Sequence, residues 1–375
     1  MALTALLLSG PLGLGHEMPV RSFRDVLQRS GWRVRSRDSM ALLGSVAGRT
    51  GQRVFDRLIT VPGLYDGVHF AAFRTGSRIA RAAEHGAGHA VPSLRAELER
   101  HPADLVLSVF ATGALAAARL KAAKLNTGAA QFAAVVYCPD VAAHKLWVQE
   151  GTDLFLVSSP AAAASVRRFR PRAPVALVPP PVRAAFYAAP SRRAAREALG
   201  VPADTRCVLL IDSGWGFAPL PATAAALAAA GVTVLAVAGR HADAERQLRE
   251  VARARPAVIP FGFTEEVPAL MAAADVVVAL PGAATCAEAR VVGRRLLLLD
   301  VMPGHGRDNL LHQLEQGNAE VCGPAAADIT ASALAMLDRA PPDVPRAPRW
   351  EPAFAAALGQ IGLEVTAEAA CAPSS

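Results

Sequence analysis

Two segments near position 300, a small-residue turn and a polar loop, carry the strongest chemical signal in the sequence. The turn Pro281-Gly282-Ala283-Ala284-Thr285 lies between an apolar run and a helical segment. Its free backbone N–H groups and the helix dipole favour an anion, above all a phosphate. Glu288 lies one turn into that helix, within reach of a hydroxylated group beside the phosphate. The loop after the next apolar run brings together four polar side chains, His305, Arg307, Asp308 and Asn309. This combination predicts a nucleotide-sugar site.

The elements that must position these residues are short apolar runs. Asp275–Leu280 and Leu296–Asp300 are rich in Val and Leu and are bounded by Pro and Gly, which is typical of buried parallel strands. In an open α/β sheet, ligands bind at the carboxyl ends of such strands. The strand–helix alternation restarts after a stiff connector, Pro179-Pro180-Pro181. We therefore expect two doubly wound Rossmann-like domains facing across a cleft. The predicted divisions are 1–183, 191–340 and, for a linker, a final helix and a disordered tail, 341–375.

The first half contains its own candidate chemistry in a Gly-rich turn after strand one. Gly13 and Gly15 precede His16, which stands where a helix is predicted to begin, at about Met18. A helix dipole disfavours the imidazolium there, so a neutral base near pH 7 is reasonable. The alternative is a histidine that only caps or packs. The glycine spacing is not that of a dinucleotide fingerprint, although Asp38 keeps a nicotinamide-cofactor interpretation open.

A second polar segment of the first half follows the apolar run Ala133–Tyr137. It holds Asp140, His144 and Trp147 at the end of a predicted strand. Asp140 could assist His16 or contact an acceptor hydroxyl. Trp147 could stack on a sugar, although a tryptophan in this position is also typical of a core.

Composition narrows the class of protein. The chain has 375 residues, of which 52% are apolar and 19% charged, as in globular domains. Its net charge of +7 fits attraction to anionic lipid or to a phosphorylated donor, and equally fits a codon-biased basic surface. Five cysteines without a CxxC pair favour reduced thiols in the cytoplasm and argue against a zinc site. No uncharged stretch approaches the roughly 20 residues of a spanning helix, so membrane contact would be peripheral, on the inner face. No nucleic-acid partner is expected.

The motifs together resemble the monogalactosyldiacylglycerol synthase family and, more distantly, the bacterial N-acetylglucosaminyl transferase of peptidoglycan synthesis. The resemblance lies in five segments, Gly13-Leu14-Gly15-His16, Asp140–Trp147, Gly262-Phe263-Thr264, Pro281–Ala289 and Pro303–Asn309. The chain departs from the family at Leu280 and Ala283, where the family often has Lys and Gly. These departures bear on the identity of the donor more than on the fold.

The resemblance implies the GT-B fold, with a C-terminal helix that crosses back to the first domain. It also implies an inverting transfer of a hexose from a UDP-sugar to the hydroxyl of a lipid or small-molecule acceptor. Backbone groups near Phe263 would read the base, Glu288 would bind the ribose, and the loop Gly214-Trp215-Gly216 would help to hold the diphosphate. No DxD motif is present, so no metal and no cofactor are expected. A UDP-sugar epimerase of the same fold and a nucleotide-binding protein without turnover remain as alternatives.

Overall fold

The chain forms two compact units, one for each half of the sequence. A computed structural model describes residues 2–10, 14–44, 78–125, 132–212, 219–301, 305–340 and 346–366. The first unit comprises Met1–Pro181 and Arg349–Ala372, and the second comprises Val182–Met302 and Gly306–Pro348. Each unit contains one six-stranded sheet in which all registered neighbours are parallel.

The sheet of the first unit has the strand order β2-β1-β3-β4-β5-β6. Its strands are β1 (Thr4–Ser9), β2 (Arg33–Asp38), β3 (Leu105–Ser108), β4 (Ala133–Cys138), β5 (Leu154–Val157) and β6 (Val175–Leu177). Its helices are α1 (Leu14–Arg29), α2 (Arg78–Gly88), α3 (Ala90–Arg100), α4 (Ala111–Leu125) and α5 (Pro160–Phe169), with a 3₁₀ turn at Ala41–Leu43.

The sheet of the second unit has the strand order β12-β11-β10-β7-β8-β9. Its strands are β7 (Cys207–Ile211), β8 (Thr233–Val237), β9 (Val258–Phe261), β10 (Val276–Ala279), β11 (Arg295–Leu299) and β12 (Ala319–Cys322). Its helices are α6 (Ala184–Tyr187), α7 (Arg192–Ala198), α8 (Leu220–Ala229), α9 (Ala242–Ala254), α10 (Val267–Ala273), α11 (Ala283–Val292), α12 (His305–Glu315) and α13 (Ala326–Asp338). The last helix of the chain is α14 (Glu351–Gly359).

Each sheet reverses its strand order once. Strand β1 lies between β2 and β3, and β7 lies between β8 and β10. From β1 the chain first adds β2 on one side and then crosses over to β3 on the other; from β7 it adds β8 on one side and later β10 on the other. At such a reversal the neighbouring loops diverge and leave a crevice at the carboxyl ends of the strands, where open α/β sheets bind ligands. The start of α1 follows β1 and the Pro281–Thr285 turn follows β10, so both lie at a point where such sheets commonly bind ligands.

The central strands explain why the apolar runs could be identified in the sequence. Strands β3, β5, β10 and β11 are buried along their whole length, as expected for parallel strands covered by helices on both faces. The predicted strands Asp275–Leu280 and Leu296–Asp300 are confirmed as β10, which is one residue shorter at each end, and β11, which begins and ends one residue earlier. Of the stretch 42–98 that we expect to be helical, the described part forms the 3₁₀ turn, α2 and most of α3, and the rest lies outside the described residues.

Two helices begin earlier than the sequence suggests. Helix α1 starts at Leu14 and not near Met18, so Gly15 and His16 lie in its first turn. Glu17 favours this start because an acidic residue in the first turn complements the helix dipole, and it pairs with Arg21 at 2.8 Å. Similarly, the segment predicted as a polar loop at 303–309 already enters helix α12 at His305.

The C-terminal helix belongs to the first unit, which confirms the predicted crossing back. Phe354 and Trp350 are fully buried, and their rings lie 4.9 and 5.3 Å from the ring of Phe23 on α1. After the helix, the carbonyl oxygen of Glu364 accepts a hydrogen bond of 3.1 Å from the indole of Trp32. Burial of three large rings ties α14 to the core of the first unit. None of the helices within the described ranges combines the length and the hydropathy needed to cross a membrane.

Candidate functional site

The turn after β10 presents a set of free backbone N–H groups. Gly282 is the N-cap of α11 and no side chain caps this helix end. The first intrahelical bond runs from the N–H of Cys286 to the carbonyl of Gly282, at 3.0 Å. The amides of the three preceding residues, Ala283, Ala284 and Thr285, therefore have no acceptor in the part of the chain that the structure describes. These donors and the positive end of the helix dipole form an anion-binding position.

Glu288 supplies a buried acceptor one turn further along α11. It is 7% exposed, and among the described residues no group donates a hydrogen bond to its carboxylate. Burial raises the pKa of Glu288 to about 7, and the nearby positive charge of Arg183 opposes that rise. A buried carboxyl group without a donor is costly unless a ligand supplies one, so the side chain points to a ligand that carries hydroxyl groups.

Arg183 acts on Glu288 at this site, although no sequence motif singles it out. Its Nη1 atom lies 2.6 Å from Oε2 of Glu265, and its guanidinium carbon lies 5.1 Å from the centre of the Phe186 ring. It precedes the short helix α6, directly after the Pro-rich connector. This position is the sequence feature that could have pointed to Arg183, because a stiff connector fixes the residue that follows it. Arg183 thus brings a fixed positive charge to the neighbourhood of Glu288.

The loop after β9 presents an aromatic surface. The side chain of Phe263 is 44% exposed, and the guanidinium of Arg240, which follows β8, lies 5.0 Å from its ring centre. The next residue, Thr264, accepts a hydrogen bond of 3.0 Å from the N–H of Glu266, which fixes the start of α10. An exposed ring held by a cation–π contact is suited to pack against a planar base.

The polar residues after β11 lie on the first turns of α12. Arg307 is exposed, with its Nη1 atom 3.9 Å from Oδ2 of Asp300. Asp308 is exposed and Asn309 is buried. His305 is the first residue of the helix, and its side chain lies outside the described part of the structure. All four residues follow a strand that pairs with β10, so they leave the sheet at the same edge as the α11 turn.

The predicted residues of the first unit occupy two loops that one strand separates. His16 and Gly15 lie in the first turn of α1, whereas the side chain of His16 and the whole of Gly13 lie outside the described residues. Asp140 follows β4 and is partly buried. Because β3 lies between β1 and β4, the two strand ends are about 10 Å apart. Both loops therefore follow the carboxyl ends of strands, but β1 and β4 do not pair with each other.

Trp147 lies in the core of the first unit. It is 3% exposed and belongs to the same buried cluster as Phe155 and Val157 on β5. The ring of His144 lies 6.1 Å from the Trp147 ring. In this structure, Trp147 supports the loop that carries Asp140 and His144, and its role toward a sugar stays a prediction.

The second unit also matches known proteins in sequence. Residues 219–322 match the family profile described as the glycosyltransferase family 28 C-terminal domain. A segment of 155 residues is 34% identical to the UDP-N-acetylglucosamine–N-acetylmuramyl-(pentapeptide) pyrophosphoryl-undecaprenol N-acetylglucosamine transferase of Mycobacterium bovis and covers 39% of this chain and 37% of that protein. A segment of 131 residues is 29% identical to the probable chloroplastic monogalactosyldiacylglycerol synthase of Glycine max and covers 32% of this chain and 24% of that protein. The chain thus spans less than half the length of these curated relatives.

Solved structures show the fold of the whole chain. The crystal structure of Acinetobacter baumannii MurG superposes with a TM-score of 0.55 at 15% sequence identity, over 90% of this chain and 91% of the MurG chain. At this identity the likeness concerns the fold alone. The fold is GT-B, with two Rossmann-like units and a C-terminal helix that returns to the first, as the sequence predicts.

Within the segment that matches the family 28 profile, the departures at Leu280 and Ala283 have different consequences. Leu280 is 4% exposed and packs into the core of the second unit with Val278 and Leu299. Ala283 is the first residue of α11 and keeps its N–H available. Replacement of a lysine by Leu280 therefore removes a charge without removing any of the free amides. The side chain at 283 adds one methyl group to the turn.

Two further predictions concern the loop after β7 and a metal. Gly214, Trp215 and Gly216 lie outside the described residues. The strand before them, β7, pairs with β10, so the carboxyl end of β7 lies next to the α11 turn. In the portion of the chain with described coordinates, no three His, Cys, Asp or Glu side chains group as metal ligands. That the site needs no metal stays a prediction.

Proposed function

We propose that the protein is an inverting glycosyltransferase that moves a hexose from a UDP-sugar to an acceptor hydroxyl. The proposal rests on one observation: free amides at the start of α11 and the buried carboxyl group of Glu288 occur on the same helix, in a segment that matches the family 28 C-terminal domain. The amides fit a phosphate and the carboxyl group fits the vicinal hydroxyls of a ribose. A UDP-sugar carries both a diphosphate and the vicinal hydroxyls of a ribose.

The diphosphate of the donor would bind at Ala283, Ala284 and Thr285, next to the loop of Gly214, Trp215 and Gly216. Departure of the nucleoside diphosphate develops negative charge on the leaving oxygen. Preorganised N–H groups and the α11 dipole stabilise this charge without reorganisation, which is the role of an oxyanion hole. This arrangement supplies the positive potential that a metal would otherwise supply, so we expect the reaction to proceed without one.

The base and the sugar would be bound on either side of the diphosphate. Phe263 offers an exposed ring and adjacent backbone groups to the base, with Arg240 behind the ring. Glu288 would accept hydrogen bonds from the ribose hydroxyls. The sugar would contact the polar residues of α12, namely His305, Arg307, Asp308 and Asn309. We propose UDP as the nucleotide because the mycobacterial relative is named for UDP-N-acetylglucosamine.

The first unit would activate the acceptor. His16, at the positive end of α1, would take the proton from the acceptor hydroxyl as a neutral base, with Gly13 and Gly15 keeping the turn open. Asp140 leaves the sheet beyond β3, which favours contact with the acceptor over direct orientation of His16. His144 would line the same loop. The names of both curated relatives contain a lipid, diacylglycerol or undecaprenol, so we propose a lipid-linked hydroxyl as the acceptor, reached at a membrane surface.

Calorimetric titration of UDP, GDP and TDP into the full chain, with and without EDTA, tests the donor site. We expect UDP to bind with equal affinity in both buffers, and Glu288→Ala to weaken it about tenfold or more, since a charged hydrogen bond contributes about 1.5–3 kcal/mol. Glu250→Ala, which removes an exposed carboxylate on α9 of the same unit, serves as the comparison. Slow hydrolysis of one UDP-sugar would support a transferase. Binding without any turnover would instead favour a nucleotide-binding protein, and the absence of binding would overturn the proposal.

A further inference from the structure

An arginine cluster lies at the amino ends of the strands of the second sheet, whereas the α11 turn lies at their carboxyl ends. Asp275 immediately precedes β10, and Arg294 immediately precedes β11. Arg192 and Arg196 on α7 each contact Asp275, with nitrogen–oxygen distances of 2.9 Å. Arg346 lies in the segment after α13, next to Ala347, whose N–H donates to the end of α11. Two arginines therefore contact the carboxylate of Asp275, and Arg294 lies beside it because β10 pairs with β11.

The carboxylate of Asp275 is already fully engaged. Its Oδ1 atom pairs with Arg192, and its Oδ2 atom accepts from both Arg196 and the N–H of Cys207, the latter at 2.8 Å. Arg196 is equally occupied, since it is 1% exposed and also donates to three backbone carbonyls, those of Ala203, Thr205 and Ala273. The pair of Arg196 and Asp275 thus has a structural role, and Asp275 has no further oxygen to offer to Arg294 or Arg346.

Arg294 and Arg346 are the residues that lack a counter-charge. Over the described ranges, neither guanidinium has a carboxylate or carbonyl partner, and the Nε atom of Arg294 is buried without an acceptor. Burial lowers the pKa of Arg294, and the charges of Arg192, Arg346 and Arg196 lower it further, while Asp275 opposes them. Neighbouring like charges destabilise the folded state unless an anion offsets them.

We propose that Arg192, Arg294 and Arg346 form a binding site for the phosphate group of a small phosphorylated ligand. A guanidinium binds phosphate oxygens through paired N–H donors, and a dianion would offset most of the excess of three positive charges. The site is separate from the donor turn because the length of β10, about 13 Å for four residues, lies between them. The inference concerns the amino ends of the strands and does not depend on the proposed transfer reaction.

The test is titration of pyrophosphate into the full chain at constant ionic strength, followed by calorimetry. The exposed Arg346→Gln is the informative variant, and Arg253→Gln on α9 is the matched control, because it removes the same charge from an exposed position outside the cluster. We expect the wild type to show a binding event that Arg346→Gln weakens about tenfold or more and Arg253→Gln leaves unchanged. The affinity for UDP should be the same in all three proteins.

Equal loss in both variants would show general attraction to a basic surface and would overturn the proposal, as would identical titrations of the wild type and Arg346→Gln. Arg294→Gln, with its fold verified by circular dichroism, provides a second variant that must reproduce the effect of Arg346→Gln. If UDP does not bind to the wild type, the transferase proposal fails. The contrast between Arg346→Gln and Arg253→Gln still decides the phosphate site in that case.

Discussion

The guanidinium of Arg183 lies 2.6 Å from the carboxylate of Glu265, and the same side chain opposes the raised pKa of Glu288. The two acids differ in their surroundings. Glu265 is more than half exposed and can exchange Arg183 for water, whereas Glu288 is buried and depends on the field of the arginine. The charge state of Glu288 is therefore set by burial on one side and by Arg183 on the other.

The first prediction is that Glu288 makes the stability of the protein depend on pH in a window from about 4.5 to about 7. Burial raises its pKa from 4.5 to about 7, so within this window the folded state binds more protons than the unfolded state. The free energy of unfolding should therefore fall as the pH rises, by about 3 kcal/mol in total. Glu288→Gln should abolish this component. Denaturant unfolding of both proteins at a series of pH values measures the difference.

Arg183→Met extends the same experiment. Loss of the positive charge should raise the pKa of Glu288 and move the upper end of the window to higher pH. Glu265→Gln, which alters an exposed partner of Arg183, should leave the window in place. Identical pH slopes for the wild type and Glu288→Gln would show that Glu288 is not ionising in this range.

The second prediction is that Gly282→Ala affects ligand binding and not the fold. Gly282 has φ −72° and ψ 131°, which any residue adopts, and a Cβ atom built there has no heavy atom within 4 Å. The free energy of unfolding should stay within about 0.5 kcal/mol of the wild type. The new methyl group would enter the open space beside the free amides of α11, so the affinity for UDP should fall about tenfold. Denaturant unfolding and calorimetry measure the two effects.

Gly86→Ala on α2 is the matched control for this substitution, because its Cβ atom would also meet no heavy atom within 4 Å. It should leave the affinity for UDP unchanged. A Gly282→Ala variant that unfolds more easily and binds UDP normally would place the importance of Gly282 in the fold.

The sequence is sufficient to predict the strand, the turn and the helix around Pro281–Thr285 because all of their signals are local. A buried Val run, a Pro-Gly break and a helix with Glu288 one turn in follow each other within 15 residues, Asp275 to Ala289. Strand order was not predictable, since it depends on pairings between distant segments. The sequence left open whether Asp140 assists His16, and only the position of β3 between β1 and β4 separates their loops.

Arg183 was missed for a related reason. In the sequence it is the end of a Pro-rich connector, and its partner Glu265 lies 82 positions further along the chain. The early starts of α1 and α12 were missed because glycines in a first turn look like a loop. The first-turn N–H groups have no intrahelical partner in any case, so glycine disturbs that turn less than the interior of a helix.

The third prediction concerns the C-terminal helix. Phe354 is completely buried against Phe23 and Trp350, so Phe354→Ala should lower the free energy of unfolding of the first unit by about 3–5 kcal/mol. Leu177→Ala, which truncates an exposed apolar side chain on β6 of the same unit, should change it by less than about 0.5 kcal/mol. Denaturant unfolding monitored by tryptophan fluorescence measures both. Equal stability of the wild type and Phe354→Ala would show that α14 is not docked in solution.

The fourth prediction separates catalysis from donor binding. If His16 accepts the acceptor proton, His16→Ala should lower kcat about 10²–10⁴-fold, the usual contribution of a general base, while the affinity for UDP stays unchanged. His101→Ala, at an exposed position after α3, is the control and should retain full activity. Parallel loss of turnover and of UDP binding in His16→Ala would mean that His16 maintains the structure of the protein, and some other group would then have to accept the proton.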